Sequence, residues 1–180
     1  MAGEVARVQG LDQLKAKFAE IPAKLRSRYL RNWLAAGARV VQKEAKAKTP
    51  VLSIANAKKA KYRKPGTVRD AIRVRTSKRD RRDGNVGVFV NVKPAKAGQR
   101  GAKNPNDPFY WRWQNWGWNP ARNGETKRTR RALVKSGAPK RIPGKRFLEK
   151  AAEKLPEALK AFENAASKWF QKINASGSVK

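Results

Sequence analysis

Two stretches of this chain repeat apolar residues at spacings of three and four, and that repeat leaves few folds open. The first runs through Leu25, Tyr29, Trp33, Ala36, Gly37, Val40 and Val41. The second runs through Leu148, Ala152, Leu155, Leu159, Phe162, Ala166, Trp169, Phe170 and Ile173. Residues spaced in this way share one side of an α-helix, so each stretch predicts a helix of about seven turns whose apolar stripe must be covered. Pro22 suits the first turn of the earlier helix. That helix is expected to end near Thr49-Pro50, because a residue before proline disfavours the helical region. The later helix is expected over 145–174, with Pro156 either kinking it or starting a new segment. A shorter helix is expected over 11–20, through Leu11, Leu14 and Phe18, after a short strand before Gly10.

Between the two stripes the period changes. Val68, Ala71-Ile72 and Val74 form an extended-looking run, Asp83-Gly84 signals a turn, and Val86, Val88, Val90 and Val92 alternate behind it. This pattern predicts a β-hairpin with arms at about 68–77 and 85–92. The expected fold class is α+β, with two long amphipathic helices packed on a small, mainly antiparallel sheet. The chain's 180 residues suit a single domain over 1–180. Its parts are N-terminal helices at 11–48, a sheet and aromatic segment at 67–118, and the C-terminal helix. Long basic loops fall at 51–66, 93–108 and 119–143.

Charge constrains the partners. Forty-four Lys and Arg stand against thirteen Asp and Glu, a formal net charge of +31. Solubility needs a magnitude of only roughly 2–8 in a small domain. A compact body so charged repels itself, which predicts an anionic complement: nucleic acid, a membrane surface or an acidic protein. No run of apolar residues is long enough to span a membrane. The first ten residues lack a charged region followed by an apolar run, so the chain is expected to be made and kept in a cytoplasm. Three basic clusters are candidate contacts for DNA or an acidic partner. They are Lys58, Lys59, Lys61, Arg63 and Lys64; Arg79, Arg81 and Arg82 at the hairpin tip; and Lys127, Arg128, Arg130 and Arg131. Solvated loops are the plainer reading of any one of them.

No catalytic set is visible. The chain has no Cys and no His, which removes thiol nucleophiles, the commonest general base and the commonest metal ligand. Its carboxylates are thinly spread, and Gly98-Gln99-Arg100-Gly101 lacks the Lys-Ser/Thr of a phosphate loop. The expectation is a protein without enzymatic activity, metal or cofactor. The densest aromatic segment, Phe109 to Trp118, offers packing and recognition together. Trp113 and Trp116 are expected to pack, while Trp111 and Trp118 are expected to face a partner, as large aromatics do at interfaces. Phe147, at the start of the last helix, is a third interface candidate.

The order of these pieces resembles a known family, the tail-completion or neck proteins of long-tailed double-stranded DNA phages, typified by gene product ten of a lambdoid coliphage. Five segments carry the resemblance. Gly10-Leu11-Asp12-Gln13-Leu14 is similar to the family's Gly-Leu-x-x-Leu start, and Ala45-Lys46-Ala47-Lys48-Thr49-Pro50 to the end of its long helix. Pro65-Gly66-Thr67-Val68-Arg69-Asp70-Ala71-Ile72 resembles a Thr-Gly-x-Leu-Arg-x-Ser-Ile signature, with Val for Leu and Ala for Ser. Trp111 to Trp118 resembles Tyr-x-x-x-x-Glu-Phe-Gly-Thr, with Asn115 in place of the Glu. Gly144-Lys145-Arg146-Phe147-Leu148-Glu149-Lys150-Ala151 resembles Ala-x-Pro-Phe-Leu-x-x-Ala. The chain departs from the family in its longer basic loops, its missing Glu and its high charge.

The resemblance implies a non-enzymatic structural protein of the virion, placed where the tail meets the head and assembled in the host cytoplasm. It implies a homo-oligomeric ring, often hexameric, contacting neighbouring neck, connector or tail-tube proteins and the packaged DNA. The basic loops are expected to become ordered on assembly. The alternative is a sequence-nonspecific nucleic-acid-binding protein, whose affinity would fall steeply with salt. An antitoxin-like or ribosome-associated protein has only the charge in its favour.

Overall fold

The computed structural model describes residues 23–53, 64–78, 80, 85–119 and 141–176. The helix expected over 11–20 lies outside these residues. Helix α1 (Ala23–Lys48) is the long spine. It is followed by α2 (Thr67–Ala71), β1 (Ile72–Thr76) and β2 (Val88–Val92). Then come α3 (Trp111–Trp116), β3 (Gly117–Trp118), β4 (Ile142–Pro143), α4 (Phe147–Ala152) and α5 (Leu155–Ser176). The class is α+β, but the sheet is smaller than a layer. It consists of two separate antiparallel pairs, β1–β2 and β3–β4.

Two clusters of packed side chains lie along α1. Toward its N-terminus, the buried Trp33 meets three rings of α5: Phe162, Trp169 and Phe170, at centroid distances of 6.3, 5.4 and 5.7 Å. Tyr29 adds a fourth contact, 4.3 Å from Trp169. One turn beyond Trp33 the helices approach closely, and a Cβ on Gly37 would lie 2.6 Å from the Ala158 carbonyl oxygen. Glycine is required there to let the two backbones approach. Toward the C-terminus of α1, Ala45 joins Val68, Ile72, Val92, Phe147 and Ala151 in a fully buried core. Gln42 fixes the hairpin to α1 by donating from Nε2 to the Ile72 carbonyl oxygen at 2.8 Å.

The hairpin register pairs Ile72 with Val92 and Val74 with Val90, so the apolar alternation faces the core. The outer face carries Arg73 and Arg75, and the Arg75 guanidinium sits 5.9 Å from the centre of the Phe89 ring. The expected first arm is shorter than its pattern. Thr67–Ala71 is one helical turn, entered through Gly66 at φ +77°. Val68 and Ile72 are four apart and both buried, so they satisfy a helix as well as a strand.

The last expected helix is two helices. The chain turns at Glu153–Lys154 and restarts at Leu155, which puts Pro156 in the first turn, where its missing N–H breaks no hydrogen bond. Phe147 is corrected from interface candidate to core residue, since it is fully buried and is the largest of the fully buried side chains among the described residues. Charged neighbours flank it in sequence, yet Ala151, one turn on, shares its face and is buried with it.

Two substitutions test this packing. Phe147→Ala should cost about 3–5 kcal/mol in chemical denaturation, the range for emptying an aromatic core site. Gly37→Val should destabilise by at least ~1–3 kcal/mol through forced separation of α1 and α5. Wild-type stability in Gly37→Val would mean the helices do not meet there.

Candidate functional site

The segment that carries the aromatic residues is held by one polar node. Helix α3 is only six residues long and gains little from its own hydrogen bonds. Its C-terminal end is clamped instead to the start of α4, thirty residues on. Asn115 is fully buried and uses both ends of its amide. Its Nδ2 donates to the two Glu149 carboxylate oxygens at 3.1 and 2.9 Å, and its Oδ1 accepts from the Leu148 N–H at 3.1 Å. Trp116 Nε1 donates to Glu149 Oε1 at 2.8 Å. Backbone bonds from Lys145 N–H to Gln114 O and from Arg146 N–H to Asn115 O complete the join, at 2.8 and 2.9 Å.

Backbone geometry shows how tight it is. Gly117 has φ +84°, and a Cβ there would lie 2.3 Å from the Ile142 carbonyl oxygen. A Cβ on Gly144 would lie 2.2 Å from the Asn115 carbonyl oxygen. Arg146 is the non-glycine residue with positive φ among the described residues, at 47°. Such a conformation persists where the surroundings impose it.

The node suits an amide at position 115. A carboxylate at 115 would face the Glu149 carboxylate and could not donate to it when ionised. Burial pushes the Glu149 carboxyl up. Hydrogen bonds from its own backbone N–H, Asn115 and Trp116, with Arg146 nearby, outweigh that and hold it below its ordinary value.

With α3 clamped, its rings sort by helical position. Trp111 and Asn115 are one turn apart and point inward, and Trp111 packs on the core with Trp116 5.4 Å away. Trp113, Trp116 and Trp118 are 44, 49 and 37 % exposed. The expected division is therefore corrected for three of the four: Trp111 is drawn in, while Trp113 and Trp116 stand out. Trp118 stays at the surface, 6.4 Å from Trp113. Together with Pro50, Val51, Tyr110 and Ile142, these two line an open apolar groove of about 520 Å³.

A second apolar groove, of about 460 Å³, lies between α1, β2 and α5 and shares no residue with the first. Gly37, Val41 and Phe162 form its floor, and Phe89, Leu155 and Leu159 stand at its edge, 39, 59 and 47 % exposed. Sequence reasoning placed Leu155 and Leu159 on the buried stripe and did not consider Phe89. The signal available for Phe89 was its place opposite the inward-facing valines of the hairpin.

Of the basic candidates, Lys64 is exposed beside the groove-lining Gly66. Lys58, Lys59, Lys61, Arg63, Arg79, Arg81, Arg82, Lys127, Arg128, Arg130 and Arg131 lie outside the described residues. Among the described residues no group of three or more acidic, His or Cys side chains could hold a metal ion. No described helix is long and apolar enough to cross a membrane.

The node generates a pH test and an epistasis test. Glu149 has a folded pKa below its unfolded value of about 4.3, so its contribution is full above that value and is lost as pH falls through the folded one. Between neutral and acid pH the wild type should therefore lose more stability than Glu149→Gln, read from denaturation midpoints. Asn115→Glu should cost ~1–3 kcal/mol, and Glu149→Lys in the same chain should recover part of it. Strict additivity of the two changes would show that these side chains do not interact.

No curated protein and no solved structure matches the chain with significance. A family model does, over residues 12–117, and its description reads "Bacteriophage HK97-gp10, putative tail-component". The matched region holds α1, both strands of the hairpin and the clamped aromatic helix, and so the motif segments from Asp12 to Gly117. The Gly144–Ala151 segment lies beyond it. With more than half of its length matched, the chain belongs to the HK97-gp10-like family of phage tail components.

Proposed function

We propose that this protein is a structural component of the head–tail neck of a tailed double-stranded DNA phage, acting as a homo-oligomeric ring, with six copies the expected number. The observation that carries the proposal is the pair of unlike apolar grooves on a subunit of a phage tail-component family. A closed ring of identical subunits needs two different, mutually complementary patches on each. The Trp113–Trp118 groove and the Phe89–Leu159 groove supply two different patches, and their exposed rings and leucines are what each would offer the other. Each protein–protein contact of ordinary size covers about 800 Å² per partner, so a ring would bury the exposed rings and leucines of both. The remaining faces would meet neck, connector or tail-tube proteins and the DNA that passes them.

The role requires no chemistry: the subunit recognises neighbours through shape, apolar burial and charge. The net charge of +31 opposes self-association in isolation. Rings of the purified chain should therefore be favoured by raised ionic strength, which screens like charges.

A mixing experiment separates a ring contact from a symmetric dimer. Trp118→Asp disables one groove and Leu159→Asp the other. In native mass spectrometry each variant alone should be monomeric, and an equimolar mixture should give a heterodimer through the two intact grooves. Homodimers from either single variant would contradict the head-to-tail arrangement, as would a wild-type chain that stays monomeric at every salt concentration.

A further inference from the structure

The loop between β2 and α3 is built around a buried acid, and its outer surface is cationic. Asp107 is 2 % exposed, and its two carboxylate oxygens face inward. Oδ1 accepts from the Ala95 N–H at 3.1 Å and Oδ2 from the Gly101 N–H at 2.7 Å. Further bonds tie the loop to itself: Asn104 Nδ2 donates to the Gln99 carbonyl oxygen, and Asn106 N–H donates to Asn104 Oδ1. Thr67 Oγ1 anchors it to α2 by donating to the Pro105 carbonyl oxygen at 3.0 Å. A long loop is thus held in one shape by a central carboxylate together with bonds within the loop and to α2.

That shape is a hollow of about 660 Å³, and Lys93, Lys96, Arg100 and Lys103 surround it. Arg100 donates from Nε to the Ala95 carbonyl oxygen at 3.1 Å, which positions its guanidinium at the wall. Among the described residues none of these four cations has a carboxylate within ion-pair distance. Crowding four like charges around one concavity is unfavourable unless an anion completes it. Gln99, Asn104 and Asn106 add amide groups to the same lining.

We infer that this Lys93–Asp107 hollow is a preformed binding site for the phosphate backbone of nucleic acid. The lining decides between nucleic acid and an acidic protein. Protein interfaces centre on aromatic and aliphatic side chains, and here only Pro94 and Ala95 are apolar. Backbone phosphates are held largely by Lys and Arg together with amide side chains, and both kinds of residue line the hollow. The contact is independent of base sequence. It goes beyond the ring reading and does not depend on it: a chain that failed to bind DNA could still form a neck ring.

The test is fluorescence anisotropy of a short mixed-sequence duplex with the full chain at several salt concentrations. The variant Lys93→Gln, Lys96→Gln, Lys103→Gln leaves the Arg100 hydrogen bond intact. A control, Lys160→Gln, Lys168→Gln, Lys172→Gln, makes the same change of net charge on α5. The hollow variant should lower the slope of log affinity against log salt by roughly 2–3, about 0.9 for each phosphate no longer neutralised, and the control should not. Equal effects of the two variants, or no DNA binding by the wild type at about 50 mM salt, would overturn the assignment. Asp107→Asn gives an independent reading, with circular dichroism to confirm folding. Removing a negative charge should strengthen binding if net charge alone mattered, and should weaken it if the carboxylate shapes the hollow. Preferential binding of a polyglutamate peptide over DNA would reassign the hollow to an acidic protein surface.

Discussion

The approach of α1 to α5 at Gly37 and Ala158 governs the rest of the described structure. With no side chain at 37, the helices meet backbone to backbone, and the rings of Trp33, Phe162, Trp169 and Phe170 close one flank of the contact. The same approach leaves Leu155 and Leu159 without full cover and so creates the second apolar groove. Farther along α1, Ala45 is small enough to admit Phe147 and Ile72 to one core, which places α4 and the hairpin. Placement of α4 in turn brings Glu149 to Asn115 and clamps the exposed tryptophans. Packing of one helix thereby sets the position of both candidate interfaces.

Five of the described carboxylates have a local task. Asp107 shapes the basic loop, Glu149 holds the aromatic helix, and Glu44 and Glu157 pair with lysines on their own helices or beside them. Asp70 pairs with Arg69, where the hydrogen bond and charge of the guanidinium hold its carboxyl below the ordinary range. The exposed pairs contribute little to stability. Their importance is negative: few acids remain to neutralise the surface, so the excess of cation is directed outward. An assembly partner, protein or nucleic acid, has that charge available to it.

Much of the helical frame is legible in the sequence, because a stripe that persists for many turns has few alternatives. The expected limits near Pro22 and Thr49 match Ala23–Lys48 closely, and Pro156 marks the restart at Leu155. Although the strand itself begins only at Val88, alternation from Val86 to Val92 reads as a strand. The turn at Thr67–Ala71 does not, since Val68 and Ile72 fit both periods and only the left-handed Gly66 distinguishes them. The aromatic segment is harder still. Six rings in ten residues offer no apolar–polar contrast, and what orients them is a bond between residues thirty-four apart in the chain. Asp107 is visible in the sequence only as an acid before a proline in a basic loop; the two N–H groups it binds have no signature there. Family membership is legible because five weak motifs keep their order, although none singles out the family alone.

Deleting this gene from its phage and imaging the lysate by electron microscopy tests the neck assignment most directly. Full heads and finished tails lying apart are the predicted result, with joined particles restored when the gene is supplied in trans. Intact, infectious particles from the deletion would contradict a joining role and leave nucleic-acid binding as the leading function.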